Sequence, residues 1–188
     1  MKVSLIVPIY DMQNGAEFLW RNICSIAEQS YTDYEIIISK TGHGMAGNSN
    51  DGMKRAKGEL IKILFQDDCF SHTDALKDMV DNFKGGWLMT GTQNNSNPHW
   101  TRDILTGNNK LGSPSALLFE NNGLMFDETM QWLIDCDFYW QLFQKYGEPT
   151  ICPKANVELG LGKHQITNQL SESIKRKEFI YLRGKWLQ

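Results

Sequence analysis

The first apolar run of the chain, VSLIVPI at residues 3–9, is β-branched and almost uninterrupted, the pattern of a strand covered on both faces. Spacing then changes: Phe18, Leu19, Ile23, Ile26 and Ala27 recur at helical intervals within residues 14–29. The alternation repeats. Residues 34–38 (YEIII) predict a second buried strand, residues 45–58 a helix stopped by Gly58, and residues 60–65 a third strand. Strand-and-helix units in this order predict an α/β fold, a mostly parallel sheet with right-handed crossovers flanked by helices.

Farther along, Thr73 is expected to cap a helix running through Phe83, with Asp74 placed against its N-terminal dipole, and residues 86–92 form a further strand. Residues 93–115 are rich in Asn, Gly, Ser and Pro without a clear period, which predicts a long, partly ordered loop of the kind that carries function. Residues 116–119 read as strand, 131–146 as an aromatic-rich helix ending at Gly147, 150–157 as strand, and 168–186 as a last helix. Trp20, Trp87 and Trp140 occupy core-like positions. In open α/β sheets ligands collect at the carboxyl ends of the strands, so Asp11, Lys40 and Asp67 should line one edge of one crevice.

With 188 residues and a 41% hydrophobic fraction, the chain can bury one substantial core, and a single domain is expected. A net charge of -3 with interspersed signs argues against nucleic acid as a partner. Cys24, Cys69, Cys136 and Cys152 are widely spaced and form no metal-binding pattern, which suits reduced thiols in a cytoplasmic protein. The apolar run at the amino terminus is too short for a signal peptide or a transmembrane span.

The third strand ends on two adjacent carboxylates, Asp67 and Asp68, with no Lys or Arg close enough in sequence to neutralise them. Adjacent acids raise each other's pKa unless positive charge intervenes, and a hard cation such as Mg2+ or Mn2+ that also binds substrate phosphates would supply it. Equally open on the residues alone is a reading in which one Asp caps the following turn and the other is solvated.

Four blocks, VSLIVPIYD (residues 3–11), YEIII (34–38), NDGMKRAKGELIKILFQDD (50–68) and FDETMQWLIDCDFYWQLFQKYG (126–147), resemble in order and separation the family 2 inverting glycosyltransferases of the GT-A fold. Asn50, Gly52, Ala56, Gly58 and Asp67 fall in register with the family pattern. The resemblance implies a metal-dependent inverting hexosyltransferase that uses a nucleotide diphosphate sugar, a UDP-sugar being the expected donor, and a saccharide or lipid-linked saccharide acceptor. It implies a nucleotide-sugar-binding half at residues 1–92, an acceptor and catalytic half at 93–168, and a C-terminal helix at 169–188.

By the same resemblance the donor would meet Pro8, Tyr10, Asp11, Lys40, Asn50, Gln66, Asp67 and Asp68. Asp67 would bind the metal, Mn2+ or Mg2+, joined by His164 from a late loop. Asp135 matches the base that deprotonates the acceptor, while Asp137, two positions on, faces away from it. Trp100, Arg102, Ser113 and Trp132 are candidates for the acceptor side. Phe65 replaces the first acid of the family's Asp-any-Asp motif, Lys40 and Thr41 stand where an acidic pair is common, Ser49 replaces a frequent Arg, and Ile134 a frequent Glu. These departures leave the nucleotide open.

Two other readings stand beside this one. A nucleotidyltransferase would normally carry a Gly-rich phosphate loop with a basic residue after the first strand, which PIYDMQNG (residues 8–15) lacks. A nucleotide-sugar-binding domain that has lost catalysis would account for Phe65, Lys40 and Ser49. The basic C-terminal helix has three roles open to it: covering the core, forming a homodimer, or peripheral contact with an inner membrane face carrying a lipid-linked acceptor.

Overall fold

The computed structural model describes residues 1–162 and 165–187. β1 (Val3–Pro8), α1 (Gly15–Ala27), β2 (Tyr34–Ser39), α2 (Gly44–Arg55) and β3 (Leu60–Ile63) follow the expected alternation. Then come β4 (Cys69–Phe70), α3 (Ala75–Asp81), β5 (Trp87–Thr92), 3-10 turns at Arg102–Thr106 and Pro114–Ala116, and β6 (Leu117–Glu120). The chain ends with α4 (Ile134–Tyr146), β7 (Thr150–Glu158), the short α5 (Ile166–Gln169) and α6 (Glu172–Trp186).

All seven strands join one sheet in the order β2-β1-β3-β6-β5-β7-β4. β1 pairs in parallel with both β2 and β3, and β5 with β7, whereas β3/β6, β5/β6 and β4/β7 are antiparallel. The sheet is thus mixed, because β6 enters its middle from the opposite direction.

Strand alternation sorts the core into two layers. Val3, Leu5, Val7, Leu60, Leu64, Leu88 and Leu118 pack with Ile26, Leu76 and Met79 of α1 and α3 on one face. On the other face Ile6, Ile61, Ile63, Trp87, Met89 and Phe119 meet Met53, Phe138, Tyr139, Leu142 and Leu182 of α2, α4 and α6. Position 62 falls in the first set by its parity, yet it is a lysine, and it is fully buried.

The glycines matched above to a family pattern have structural reasons for being small. A β-carbon on Gly52 would lie 2.3 Å from Ile6 Cγ2, and one on Gly58 would lie 2.6 Å from the backbone nitrogen of Ser4. Asn50 bridges α2 to the segment before α4: its Nδ2 donates to the Phe126 carbonyl and Glu128, and its Oδ1 accepts from the Phe126 amide.

Several local expectations are corrected. β2 is an edge strand rather than a buried one, with Ile36 and Ile38 40% and 45% exposed. Trp20 is 71% exposed, because α1 turns Asn22 and Ile26 to the sheet instead. Asp74, not Thr73, occupies the N-cap of α3, and its side chain caps no amide. The single helix expected over 168–186 is divided at Leu170 and Ser171, both extended; Ser171 Oγ then accepts from the Ile174 amide to start α6. The 93–115 segment is more ordered than its composition suggested, since its 3-10 turn and the stretch after it bury Ile104, Leu105 and Leu111.

No helix among the described residues is long and apolar enough to cross a membrane. Because the Gly58 neighbour is backbone and cannot rotate aside, Gly58→Ala should cost about 2–3 kcal/mol, read as a lower urea midpoint at unchanged slope.

Candidate functional site

The carboxyl ends of β1 and β3 and the amino end of α4 open onto a cleft of about 640 Å3, a size suited to a small-molecule ligand. Tyr10, Asp11, Asp67, Asp68, Ser113, Trp132 and Asp135 all line it. Seven of the residues singled out from sequence are therefore brought together by the fold.

The turn after β3 is held on every side. Asn22 Nδ2, buried on α1, donates to the carbonyls of Phe65 (2.9 Å) and Asp68 (2.8 Å), and the Asp68 amide closes the turn onto the Phe65 carbonyl. Ser115 Oγ accepts from the Phe65 amide. Gln66 is spent on the scaffold: its Oε1 accepts from the Tyr10 amide and its Nε2 donates to the Gly15 carbonyl. Gly160 presses on this turn so closely that a β-carbon there would lie 2.4 Å from the Asp67 carbonyl oxygen.

The two adjacent acids are thereby given different environments. Asp68 is buried, accepts from the Gly160 amide at 2.8 Å and from the Ser115 hydroxyl, and faces Lys62. Lys62 in turn donates to the carbonyls of Ser115 and Ile63. Burial raises the pKa of Asp68, helped by the charge of Asp67, and burial lowers that of Lys62; each opposes the other's shift. The neutralising lysine lies only five residues before Asp67, contrary to the expectation that none was near; strand geometry and the turn fold it under the acid pair. Asp67 is the half-buried member, and it stands in the cleft wall.

Across the cleft, Asp135 sits in the first turn of α4. Its Oδ1 accepts from the Cys136 amide at 2.8 Å and its Oδ2 from Asn109 Nδ2 at 2.6 Å. Burial raises its pKa, and these hydrogen bonds work against that rise. Asp137 faces the other way, as its spacing implied: Lys185, Trp186 Nε1 and Gln141 Nε2 all meet it. The segment leading into α4 hangs from α6, where the Glu178 carboxylate accepts the amides of Gln131, Trp132 and Leu133 at 2.7, 2.8 and 3.0 Å. Those three residues are held outside the helix expected from 131, so α4 begins at Ile134. Lys175, also on α6, lies 5.8 Å over the Trp132 ring.

Other candidates lie elsewhere. Pro8 is buried within β1 and Asn50 is tied to Phe126, so neither lines the cleft. Lys40 pairs with Asp11 at 2.6 Å and, with Gln66, borders a shallower hollow beside the main cleft. Trp100 stacks on Phe143 and Trp140, and Arg102 lies over the Phe143 ring, away from the cleft lining. His164 lies outside the described residues.

Tyr10 is more telling than its sequence match suggested. Its hydroxyl is buried and has no hydrogen-bond partner among the described residues, and burial first, then the nearby Asp67 and Asp68 charges, raise its pKa. Sequence reasoning missed Asn109, Ser115, Gly160 and Glu178. Ser115 and Asn109 belong to the aperiodic segment, and Glu178 looked like one more charge on a basic helix.

For a divalent metal, the donors present fit one arrangement. No group of three or more His, Cys, Asp or Glu side chains among the described residues could hold an ion by itself. Asp68 is committed to Lys62, Ser115 and Gly160, and Asp67 is the acid of the pair in the cleft wall, where it would hold a cation whose other ligands would come from a substrate and water.

The same fold occurs in solved glycosyltransferases. Residues 1–349 of TarS from S. aureus, in complex with UDP-GlcNAc, match with a TM-score of 0.73 at 18% identity, over 97% of this chain and 64% of that one. The UDP complex of the same TarS fragment gives 0.66 at 18% identity over 87% and 61%. The mannosyltransferase PcManGT from Pyrobaculum calidifontis, with GDP-Man and Mn2+, gives 0.65 at 14% identity over 86% and 57%. The chain thus spans less than two thirds of each of these structures. No family model matches the sequence, and no curated protein matches it. At such identities the likeness establishes the GT-A-like α/β fold.

Two outcomes follow from the buried charges. Lys62→Met should cost about 3–5 kcal/mol by leaving Asp68 buried without its counter-charge, while Lys62→Met with Asp68→Asn should recover much of that loss in chemical denaturation. Glu178→Ala strands three amides and should cost at least about 3 kcal/mol, measured in the same way.

Proposed function

We propose that this chain is an inverting glycosyltransferase that moves a sugar from a nucleotide diphosphate sugar to an acceptor hydroxyl. The observation that carries this reading is the convergence on one cleft of the unpartnered Tyr10 hydroxyl, the Asp67 carboxylate and the buried Asp135 carboxylate. Structures with the same fold that hold UDP, UDP-GlcNAc and GDP-Man with Mn2+ support it.

In this reading the donor's diphosphate lies beside Asp67 and Tyr10. The buried Tyr10 hydroxyl gains from it the hydrogen bond it lacks, an advantage to binding because an unsatisfied buried polar group is costly. Mn2+ or Mg2+ held by Asp67 and the phosphate oxygens would offset the negative charge that develops on the leaving diphosphate. Asp135 stands on the opposite wall and takes the acceptor proton. Burial favours its capture of a proton, while the Cys136 and Asn109 hydrogen bonds favour the charged form that a base needs.

The nucleoside is expected at the edge formed by Asp11 and Lys40, which pair as ions, Lys40 standing with Thr41 where similar enzymes commonly carry an acidic pair. UDP remains the proposed donor nucleotide on the strength of the TarS complexes. Ser113 and Trp132, not Trp100 and Arg102, are the proposed acceptor contacts, since only the former line the cleft. The acceptor is a saccharide, free or lipid-linked. Four unpaired thiols suit a reducing, cytoplasmic setting.

A thermal-shift panel of nucleotide sugars with and without Mn2+ tests the donor: one nucleotide class should raise the melting temperature, and more so with the metal. Asp135→Asn should lower transfer by about 10²–10⁴-fold at unchanged donor affinity. Undiminished transfer by that variant would remove Asp135 as the base, and absence of stabilisation by every nucleotide would remove the donor assignment.

A further inference from the structure

The 93–115 segment reaches the proposed base through one side chain. Asn109 Nδ2 donates to Asp135 Oδ2 at 2.6 Å and to the Gly112 carbonyl at 2.9 Å, while its Oδ1 accepts the amides of Leu111 and Gly112 at 2.9 and 3.0 Å. Every contact is of the correct polarity only with the carboxamide this way round, because carbonyl and carboxylate oxygens accept and backbone amides donate. Tyr139, one turn along α4 from Asp135, donates its hydroxyl to the same Gly112 carbonyl at 3.0 Å. The loop is therefore docked on α4 at Asp135 itself, and the next residues, Ser113 and Pro114, line the cleft.

We propose that Asn109 is a positioning residue that couples the docked acceptor-side loop to the base, aiming the Asp135 carboxylate and keeping it charged when the loop is in place. The proposal rests on the reading of Asp135 as the base. In that reaction the acceptor O–H gives its proton to Asp135 and the oxygen's electron pair forms the new bond to the anomeric carbon. The bond from that carbon to the diphosphate oxygen breaks, its electrons leaving on the nucleotide diphosphate.

The Cys136 amide holds one oxygen of Asp135 and Asn109 the other, and the Cys136 thiol and the Asp135 amide add further hydrogen bonds to the carboxylate. With both oxygens anchored, the carboxylate cannot rotate about its terminal torsion, so it presents a fixed direction to the cleft. Among the described residues, the surrounding titratable groups do not supply an alternative charge partner. On α4, Cys136 and Tyr139 have pKa values raised by burial first and then by Asp135, so they stay neutral. Asp137 is engaged by Lys185 on the far side of α4. Lys175 of α6 sits over Trp132, and Asp67 and Asp68 line the cleft with the same sign as Asp135. A neutral donor at 109 thus favours the charged base without cancelling it.

The test is the pH dependence of transfer by the wild type, Asn109→Ala and Asn109→Asp, from about pH 5 to 9. A base must be deprotonated to act, so its pKa sets the acid limb of the profile. Removing a hydrogen bond to the charged form raises that pKa and moves the limb to higher pH. Asn109→Ala should move it by about one unit and lower kcat by about tenfold with the donor KM unchanged. Asn109→Asp keeps the acceptor for the Leu111 and Gly112 amides but sets a second carboxylate against Asp135, so its limb should move further.

A merely structural role predicts another order: Asn109→Asp, close in shape, would do less harm than Asn109→Ala, and neither would move the limb. That result would overturn the proposal. Asp135→Asn, assayed in parallel, separates the two levels. If it is inactive while the Asn109 limbs stay in place, only the coupling falls; if it transfers normally, the base and the coupling fall together.

Discussion

Two carboxylates cannot both stand charged and bare at the end of a buried strand, and the way this chain resolves that conflict organises the site. One acid turns inward onto a lysine that rises from the same strand, in a place where alternation calls for an aliphatic side chain. Burying both charges is expensive, and it is tolerated because Ser115, Gly160 and the Ile63 carbonyl satisfy what the pair leaves over. The other acid is left at the cleft wall, between the Phe65 and Asp68 carbonyls that Asn22 holds, with Gly160 pressed against its own carbonyl. Pairing Asp68 is therefore what gives Asp67 a fixed place.

The opposite wall is built by a different rule. Asp135 belongs to α4, but each of its restraints beyond its own helix comes from sequence-distant segments: Asn109 from the long loop, and Glu178 of α6 through the amides of residues 131–133. Ahead of a helix whose N-cap residue, Leu133, provides no side-chain cap, a carboxylate of α6 gathers the amides of residues 131–133. Glu178 thus clamps the entry to α4, and its negative charge near the helix N-terminus is favoured by the amide dipoles. Charged α6 residues that looked destined for solvent thus face inward; Lys185 bridges Asp127 and Asp137, and Tyr181 donates to Asp127. Covering the core is the role the contacts of α6 describe.

Apolar patterning made the first half of the fold legible, because β1 and β3 are largely apolar runs buried on both faces and α1 turns one helical stripe to the sheet. It misjudged β2, since three isoleucines in a row look the same whether one face or two are covered. It also misjudged Trp20, where helix rotation, not hydrophobicity, decides exposure. Of the site, Asp67 could be picked out as an acid that closes a strand, whereas Tyr10 and Asp135 stand out only by their register with the family pattern. Asn109 and Glu178 could not, since a side chain that works by meeting a distant backbone or carboxylate leaves no mark on local spacing. Asn50 was picked for the wrong reason: its register is shared with a family pattern, but its hydrogen bonds fasten α2 to Phe126.

These two walls meet different demands. On the proposed function, the donor wall would need a rigid backbone turn, because a diphosphate is recognised by fixed charges and dipoles; the turn 65–68 is tied to α1, to Tyr10 just after β1 and to the 3-10 turn at Pro114–Ala116. On the same proposal, attack on the anomeric carbon would need the base aligned only once an acceptor is present, and its restraint comes from the loop that the proposed acceptor would touch. Ser115 belongs to both systems: its hydroxyl serves Asp68 and the Phe65 amide, and it lies two residues beyond Ser113 at the acceptor side. A displacement of the 109–115 segment would reach Asp135 through Asn109 and the acid pair through Ser115, so loop docking and the geometry of both walls are physically one event.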